Sequence, residues 1–404
     1  MSEFDQFTSI AQKGKAEHKG MFSTYSLGVN TARDAFLYAF SPENLDKKVA
    51  TFVKQYNTEV DRYRSNDRPK NKDEFFDYSS LKWSRNLKRR AGQGRKVEFD
   101  PAHIRGALYR PYTHMYVYVD PTLVDESGQN PKFYPVDANE PNVTICISDK
   151  EHRTPFSALA TDRFPDLHLS SAADAFQTFP FYTYDEDGSN RRENITDWAL
   201  AEFRGKLQPD RVQGSAASLT PSPVAGKGKK SGKDAGAGAG TGQGSSASLH
   251  TDMGISKWDI FYYVYDLLHH PEYRTKYVAN LRRELPRIPI VGDVDTFWRF
   301  SDAGKQLAEL HVNYESQKEY PLEESWAEGS VLDLRVEKMK LTKDKTAIVY
   351  NDKLTLRGIP PEAFDYRLGN RSAIDWIIDQ YQVSTDKRSG ITNDPNREDD
   401  EQYI

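Results

Sequence analysis

Four stretches of basic and aromatic residues are the places where this chain could do chemistry. The first, Leu81 to Lys96, holds Lys82, Arg85, Lys88, Arg89, Arg90, Arg95 and Lys96 and no acidic residue. The second runs from Leu108 to Tyr118 and opens Leu108-Tyr109-Arg110-Pro111-Tyr112, and the third is Asp162-Arg163-Phe164-Pro165. The fourth is the loop Asp386-Lys387-Arg388-Ser389-Gly390, with Arg371 before it and Asn393 after it as further candidates. Arginine and lysine bind phosphates and read guanine edges, and asparagine reads adenine. These residue types therefore suit recognition of a polyanion. Each stretch also has a plainer reading. The first can be a solvated helix face, Arg110-Pro111 a structural turn with a buried ion pair, and Asp386 to Gly390 a tight turn.

Catalytic patterns are missing from the sequence. The run Gly226-Lys227-Gly228-Lys229-Lys230-Ser231-Gly232 lacks the strand and helix that a phosphate-cradling loop needs. No Gly-x-Gly-x-x-Gly follows a strand, and the nine histidines include no His-Glu-x-x-His. His269-His270 end a helical stretch, where positive charge complements the helix terminus. A metal-dependent nuclease needs paired carboxylates and a lysine. Pro165-Asp166 and Pro209-Asp210 occur, but no Glu-x-Lys follows on a strand at a suitable distance. Asn393-Asp394-Pro395-Asn396 lacks the Pro-Pro-aromatic sequence of amino-methylating enzymes. The reading assigns no catalytic residue, no metal ligand and no cofactor to the chain.

The elements that must position the basic stretches can be read from periodicity. Of 404 residues, 37% are apolar and 12% aromatic, enough for a core, and the net charge of −5 excludes a uniformly basic coat. Helical spacing covers Thr31 to Leu37, and then Leu45, Val49, Phe52, Val53 and Tyr56 behind Pro42. Strands are expected at Tyr116 to Val119, Val143 to Ile147, Leu332 to Val336, Ala347 to Tyr350 and Leu354 to Leu356. Phe179 to Tyr184 reads as an edge strand, because Pro180 cannot donate to a ladder. Residues 1–27 look polar and weakly patterned. Thr196 and Ser256 cap helices, a helix runs from Pro271 through Leu285, and another carries Phe297, Phe300, Leu307 and Leu310. Ser372 to Val383 is a helix burying Ile374, Ile377, Ile378 and Tyr381. Between them, 205–253 is a flexible low-complexity insertion whose Lys227, Lys229, Lys230 and Lys233 could brush a polyanion. The single cysteine, Cys146, sits in a strand-like run and reads as a packing residue. No apolar run reaches the ~20 residues of a membrane helix. The expectation is a cytoplasmic protein of mixed α/β (α+β) fold, with a helical module at 1–100 and a module of short strands with packed helices at 101–404.

Several longer stretches resemble one family. "LGVNTARDAFLYAF", "WSRNLKRR", "LYRPYTHMYVYVD", "ISKWDIFYYVYDLLHHPEYRTKYVANLRRELPRIPI" and "YRLGNRSAIDWIIDQYQVSTDKRSGITNDPN" are similar to the C-terminal target-recognition region of Type ISP restriction–modification enzymes. The resemblance covers the chain from about Gly28 to its end, apart from the insertion. It implies a helical coupler at 1–100 and a DNA-reading domain at 101–404, in a prokaryotic phage-defence system. The implied function is sequence-specific recognition of double-stranded DNA, placing an adenine before a methyltransferase that flips it out. The implied partner is a methyltransferase/translocase module, in cis or as a separate chain. S-adenosylmethionine, ATP and magnesium are implied only for those parts. The family's motor and methyltransferase motifs are not here, and the family's pattern continues past Ile404. The chain is therefore expected to be a fragment or one gene of a split system. Two alternatives remain: a scaffold docking partners through Trp258 to Leu268, and a cryptic nuclease built on Asp166.

Overall fold

Side chains that accept from first-turn amides set the helix starts. Ser41 accepts from Asn44 N, and Pro42 follows it to open the 24-residue helix Pro42–Ser65. Ser84, Thr196, Asp293, Ser256 and Ser372 act likewise for Arg85–Gly92, Asp197–Leu207, Val294–Val312, Lys257–Leu267 and Ala373–Gln380. The last two are full capping boxes, closed by Asp259 and Asp375. This computed structural model describes all residues except 1, 13–18, 68, 77–80, 137–141, 209–253 and 397–404. The insertion expected over 205–253, with its four lysines, lies outside the described residues from 209 onward. Residues 205–207 instead close the Asp197–Leu207 helix.

Two four-stranded sheets carry the middle of the molecule. One is antiparallel, in the order Ser26–Leu27, Phe176–Pro180, Thr144–Ser148, Ala158–Thr161. The other runs Tyr38–Ala39, Thr113–Tyr118, Ile104–Arg110, Phe164–Pro165, with its last pairing parallel. Both join strands before residue 100 to strands after it. A third sheet, Glu323–Trp326, Leu354–Arg357, Ala347–Val349, Lys340–Leu341, is antiparallel.

The helical layer has its own core. Leu45, Val49, Phe52, Val53, Tyr56, Val60 and Tyr63 line one face of Pro42–Ser65 and meet Phe76, Trp83, Leu87 and Ala91. Each fully buried side chain of this size contributes roughly 1.5–3 kcal/mol, against about 0–1 kcal/mol for an exposed pair such as Lys96–Asp61. Packing therefore holds this layer. The largest core gathers Phe181, Phe203, Phe261, Tyr263 and Phe297 around the aromatic helix Lys257–Leu267.

Several expectations need correction. The polar, weakly patterned start of the chain contributes to the core all the same: among its described residues, Phe4, Ile10, Met21 and Phe22 lie in the largest core, and Thr8–Ser9 pairs with Arg287–Ile288. The strand at 176–180 is interior, because Pro180 stands at its end, where the missing N–H breaks no further rung. The stretch 332–336 forms no strand. Val331 and Leu332 are exposed, and the Asn396 amide bonds both Val336 N and Val336 O at 2.8 Å in place of a neighbouring strand. The helix from Pro271 breaks at Tyr277, whose ring packs on Phe4 and Phe7, into Pro271–Lys276 and Val278–Arg283. His269 does not complement a helix end with charge. It is wedged between Tyr265 O (2.9 Å) and Ala158 O (3.1 Å), and burial pushes its pKa down to about 3.

Candidate nucleic-acid interface

The Ala373–Gln380 helix is anchored by Trp376, the residue it buries deepest. Its Nε1 donates to Leu368 O at 3.0 Å. Ile377 and Ile378 pack only partly against the core, and Tyr381 closes the helix against Phe40. The inward face is thus centred on Trp376, whereas the periodicity had centred it on the isoleucines. Gly369, at φ +63°, makes the turn before the helix and donates its N–H to Ser157 Oγ at 2.6 Å.

Beyond the helix the chain forms a hairpin, Ser384–Thr385 against Thr392–Asn393. Asp386 organises its tip. Its Oδ1 accepts from Arg388 N (3.1 Å), Ser389 N (2.8 Å) and Ser389 Oγ (2.8 Å). These bonds, led by the Ser389 amide, hold the carboxyl below its usual range, with Lys82 adding to the effect. Gly390 N donates to Asp386 O at 2.8 Å, and its φ of +69° completes the turn. The tight turn is real, and it displays cations. The side chains of Lys387 and Arg388 are exposed, and no described carboxylate pairs with either.

Opposite the hairpin lies the helical layer. Phe36, Leu81 and Lys82 face Thr385 to Ser389 across an open cleft of about 450 Å³. Three cations, Lys82, Lys387 and Arg388, line it. Lys82 entered the sequence reading only as part of the basic run. Its pairing with the hairpin depends on a contact some 300 positions away in the chain, which spacing does not reveal. Multiple donors around a cleft open to solvent suit a phosphodiester backbone.

The other basic candidates divide sharply. Arg85 and Arg89, four apart on Arg85–Gly92, are exposed, as is Arg95. Lys88 pairs with Asp73, and Lys96 with Asp61 at 2.7 Å. Arg90 turns inward and donates to the carbonyls of Thr122, Val124 and Asp125 at 3.0, 2.6 and 3.2 Å. Arg110 is mostly covered, its side chain 14% exposed, 2.7 Å from Asp166 and stacked over Tyr109, so the structural reading of that turn holds. Tyr112, at φ +55°, is buried with its ring against His311 and Tyr314. Arg163 is half-buried beside Asp162, and Arg371 is bound to Asp379 at 2.6 Å over the Trp376 ring. Asn393 Oδ1 accepts from Lys48. Arg90, Arg110 and Tyr112 thus face the interior.

The sequence reading missed Arg33, which is fully buried. It donates to Leu123 O, to Ser84 Oγ (2.7 Å) and to Lys82 O (3.3 Å), beside Asp125 at 3.6 Å. Burial pushes its pKa down to about 10. It thereby fixes the backbone of Lys82, one rim of the cleft.

Asp166, on which the nuclease alternative turned, is buried and accepts from Arg110 and from Tyr38 Oη at 3.0 Å. Among the described residues, no three His, Cys, Asp or Glu side chains gather to hold a metal. Cys146 is buried, and burial pushes its thiol pKa up. No described helix is long and apolar enough to cross a membrane.

The mixed α/β scaffold thus presents a basic hairpin over a cleft lined by three cations. The chain belongs to the Type ISP C-terminal specificity domain family, whose model matches residues 20–404. It is similar to a nuclease-deletion mutant of the Type ISP restriction–modification enzyme LlaGI in complex with a DNA substrate mimic, at 29% identity and TM-score 0.76, covering 100% of this chain and 27% of that one. It is also similar to DrdV in a DrdV–DNA complex (28%, TM-score 0.73, covering 96% and 35%). The ATP-dependent Type ISP restriction–modification enzyme LlaBIII bound to DNA gives 27% identity and TM-score 0.75, covering 100% and 23%. The chain spans between about a quarter and a third of the length of these proteins. No curated protein matches it.

Proposed function

We propose that this chain reads a specific sequence in double-stranded DNA as the specificity part of a Type ISP restriction–modification enzyme. The observation that carries the reading is the hairpin tip: Lys387 and Arg388 are exposed, with no carboxylate partner among the described residues, on a backbone turn bonded by Asp386 and facing Lys82 across the cleft. A locked backbone lets a long cation approach a base edge in one register, which is what discrimination requires. Exposed Arg85, Arg89 and Arg95 supply phosphate contacts that orient the duplex. Adenine methylation, translocation and cleavage reside in a methyltransferase/translocase module, with S-adenosylmethionine, ATP and magnesium bound there. Such a module is a partner in cis or as a second chain. The family matched and the DNA complexes of LlaGI, DrdV and LlaBIII support this reading. The scaffold alternative loses its docking surface, since Trp258 stacks on Phe181 at 3.5 Å and Ile260 through Tyr265 are mostly buried.

The test is retention of a randomised duplex pool by the purified chain at low and at near-physiological salt. A sharp motif surviving the higher salt is expected. Salt-sensitive retention without a motif means phosphate binding alone. No retention by the folded chain overturns the proposal.

A further inference from the structure

Lys48 lies on the Pro42–Ser65 helix, between the buried Leu45 and Phe52, with its amine turned toward the hairpin. The Nζ donates to Tyr38 O and, at 3.2 Å, to Asn393 Oδ1 in the hairpin's second strand. No described carboxylate pairs with it. Burying an ammonium without a counter-charge is costly, and an exposed lysine on this helix would avoid that cost. Burial accordingly pushes the Lys48 pKa down to about 8. The amine sits at a junction. Ile391, two residues before Asn393, packs against the helical layer's core. On its other side the hairpin is held to a different element: Val383 N donates to Glu337 O, Asp394 pairs with Arg335, and Asn396 bonds Val336. The hairpin is therefore suspended between two supports. Lys48 and Ile391 are its attachment to the layer that carries Lys82.

We propose that Lys48 is a positioning residue, tying the reading hairpin to the helical layer so that Lys387, Arg388 and Lys82 meet DNA as one rigid unit. The inference rests on the DNA-reading role proposed above. It makes the width of the cleft, and hence base discrimination, depend on a residue that touches no nucleotide.

Hydrogen exchange on the DNA-free chain tests the tie. Lys48→Met should speed exchange at the Asp386 and Gly390 amides about tenfold, the worth of one net hydrogen bond. Amides within Pro42–Ser65 should stay protected. Asn393→Asp places a carboxylate against the amine and should slow hairpin exchange, and this gain should vanish in the Lys48→Met background. Unchanged hairpin exchange in Lys48→Met, or an equal effect of Asn393→Asp in both backgrounds, overturns the tie. The same variants are then bound to the selected duplex and to random duplex. Lys48→Met should weaken the selected duplex about tenfold and leave random duplex unchanged. A loosened hairpin with intact discrimination would leave the tie standing and overturn the hairpin's part in reading DNA.

Discussion

Arg89 and Arg90 are adjacent, carry the same group, and do different things. Arg89 points to solvent, while Arg90 holds three carbonyls of the 122–125 loop. Arg90→Ala should destabilise the fold by about 1–3 kcal/mol, because buried carbonyls lose their donors, and urea unfolding would measure it. Arg89→Ala should change stability by no more than about 0.5 kcal/mol and reduce the salt dependence of DNA binding by about one phosphate contact. The sequence exposed the residue types and their density. It did not expose their commitment, which depends on a loop some 30 positions away. Lys48 adds a pH dependence. Its amine has a pKa of about 8 when folded and an ordinary value of 10.5. Between those values the unfolded chain holds the proton that the folded chain has released. Stability should therefore rise from about pH 8 to about pH 10.5 relative to Lys48→Met, as urea midpoints across that range would show.

Elements were legible where capping and periodicity act within one turn. Ser41-Pro42, Thr196, Ser256 and Ser372 start helices where the sequence places them. Misreadings arose where a tertiary partner replaced a local one, as with the Asn396 amide at Val336, or Trp376 taking the buried position expected for isoleucines. Glu323–Trp326, too charged to read as a strand, is one because Leu354–Arg357 offers it a ladder. The family-like stretches prove to be joints. In "LGVNTARDAFLYAF", Gly28 lies so close to Asp166 that a Cβ would come within 2.5 Å of its carbonyl, and Arg33 is fully buried. Arg33→Met should cost about 1–3 kcal/mol by removing the donor from three acceptors, Leu123 O, Ser84 Oγ and Lys82 O, again read by urea unfolding. A second joint joins Lys257–Leu267 to Val294–Val312. A Cβ on Gly304 would stand 2.0 Å from Tyr262 O, so Gly304→Ala should force the helices apart and lower stability by about 1–3 kcal/mol.

At the scale of the whole molecule, a net charge of −5 coexists with a cationic cleft. The acids nearest these cations are engaged: Asp386, which also lines the cleft, bonds the hairpin turn, Asp125 faces Arg33, and Asp166 faces Arg110. The long-range architecture was the least legible part. Strands of two residues, such as Thr8–Ser9 and Ser26–Leu27, carry no periodicity, yet they join the first 30 residues to strands beyond 175. The cleft is the product of such closures, with one wall from Phe36, Leu81 and Lys82 and the other from Thr385 to Ser389. It was visible beforehand only as two separate basic runs.

The central claim is that the hairpin tip reads bases. The measurement that tests it most directly is equilibrium binding of the native chain, Lys387→Ala and Arg388→Ala to the selected duplex and to its single-base variants, across a salt series. The account predicts that at least one substitution loses about 1–3 kcal/mol on the correct sequence and levels the preference at one base position. A loss equal on every duplex, or none at all, would contradict it and reduce the hairpin to a phosphate contact or to no contact.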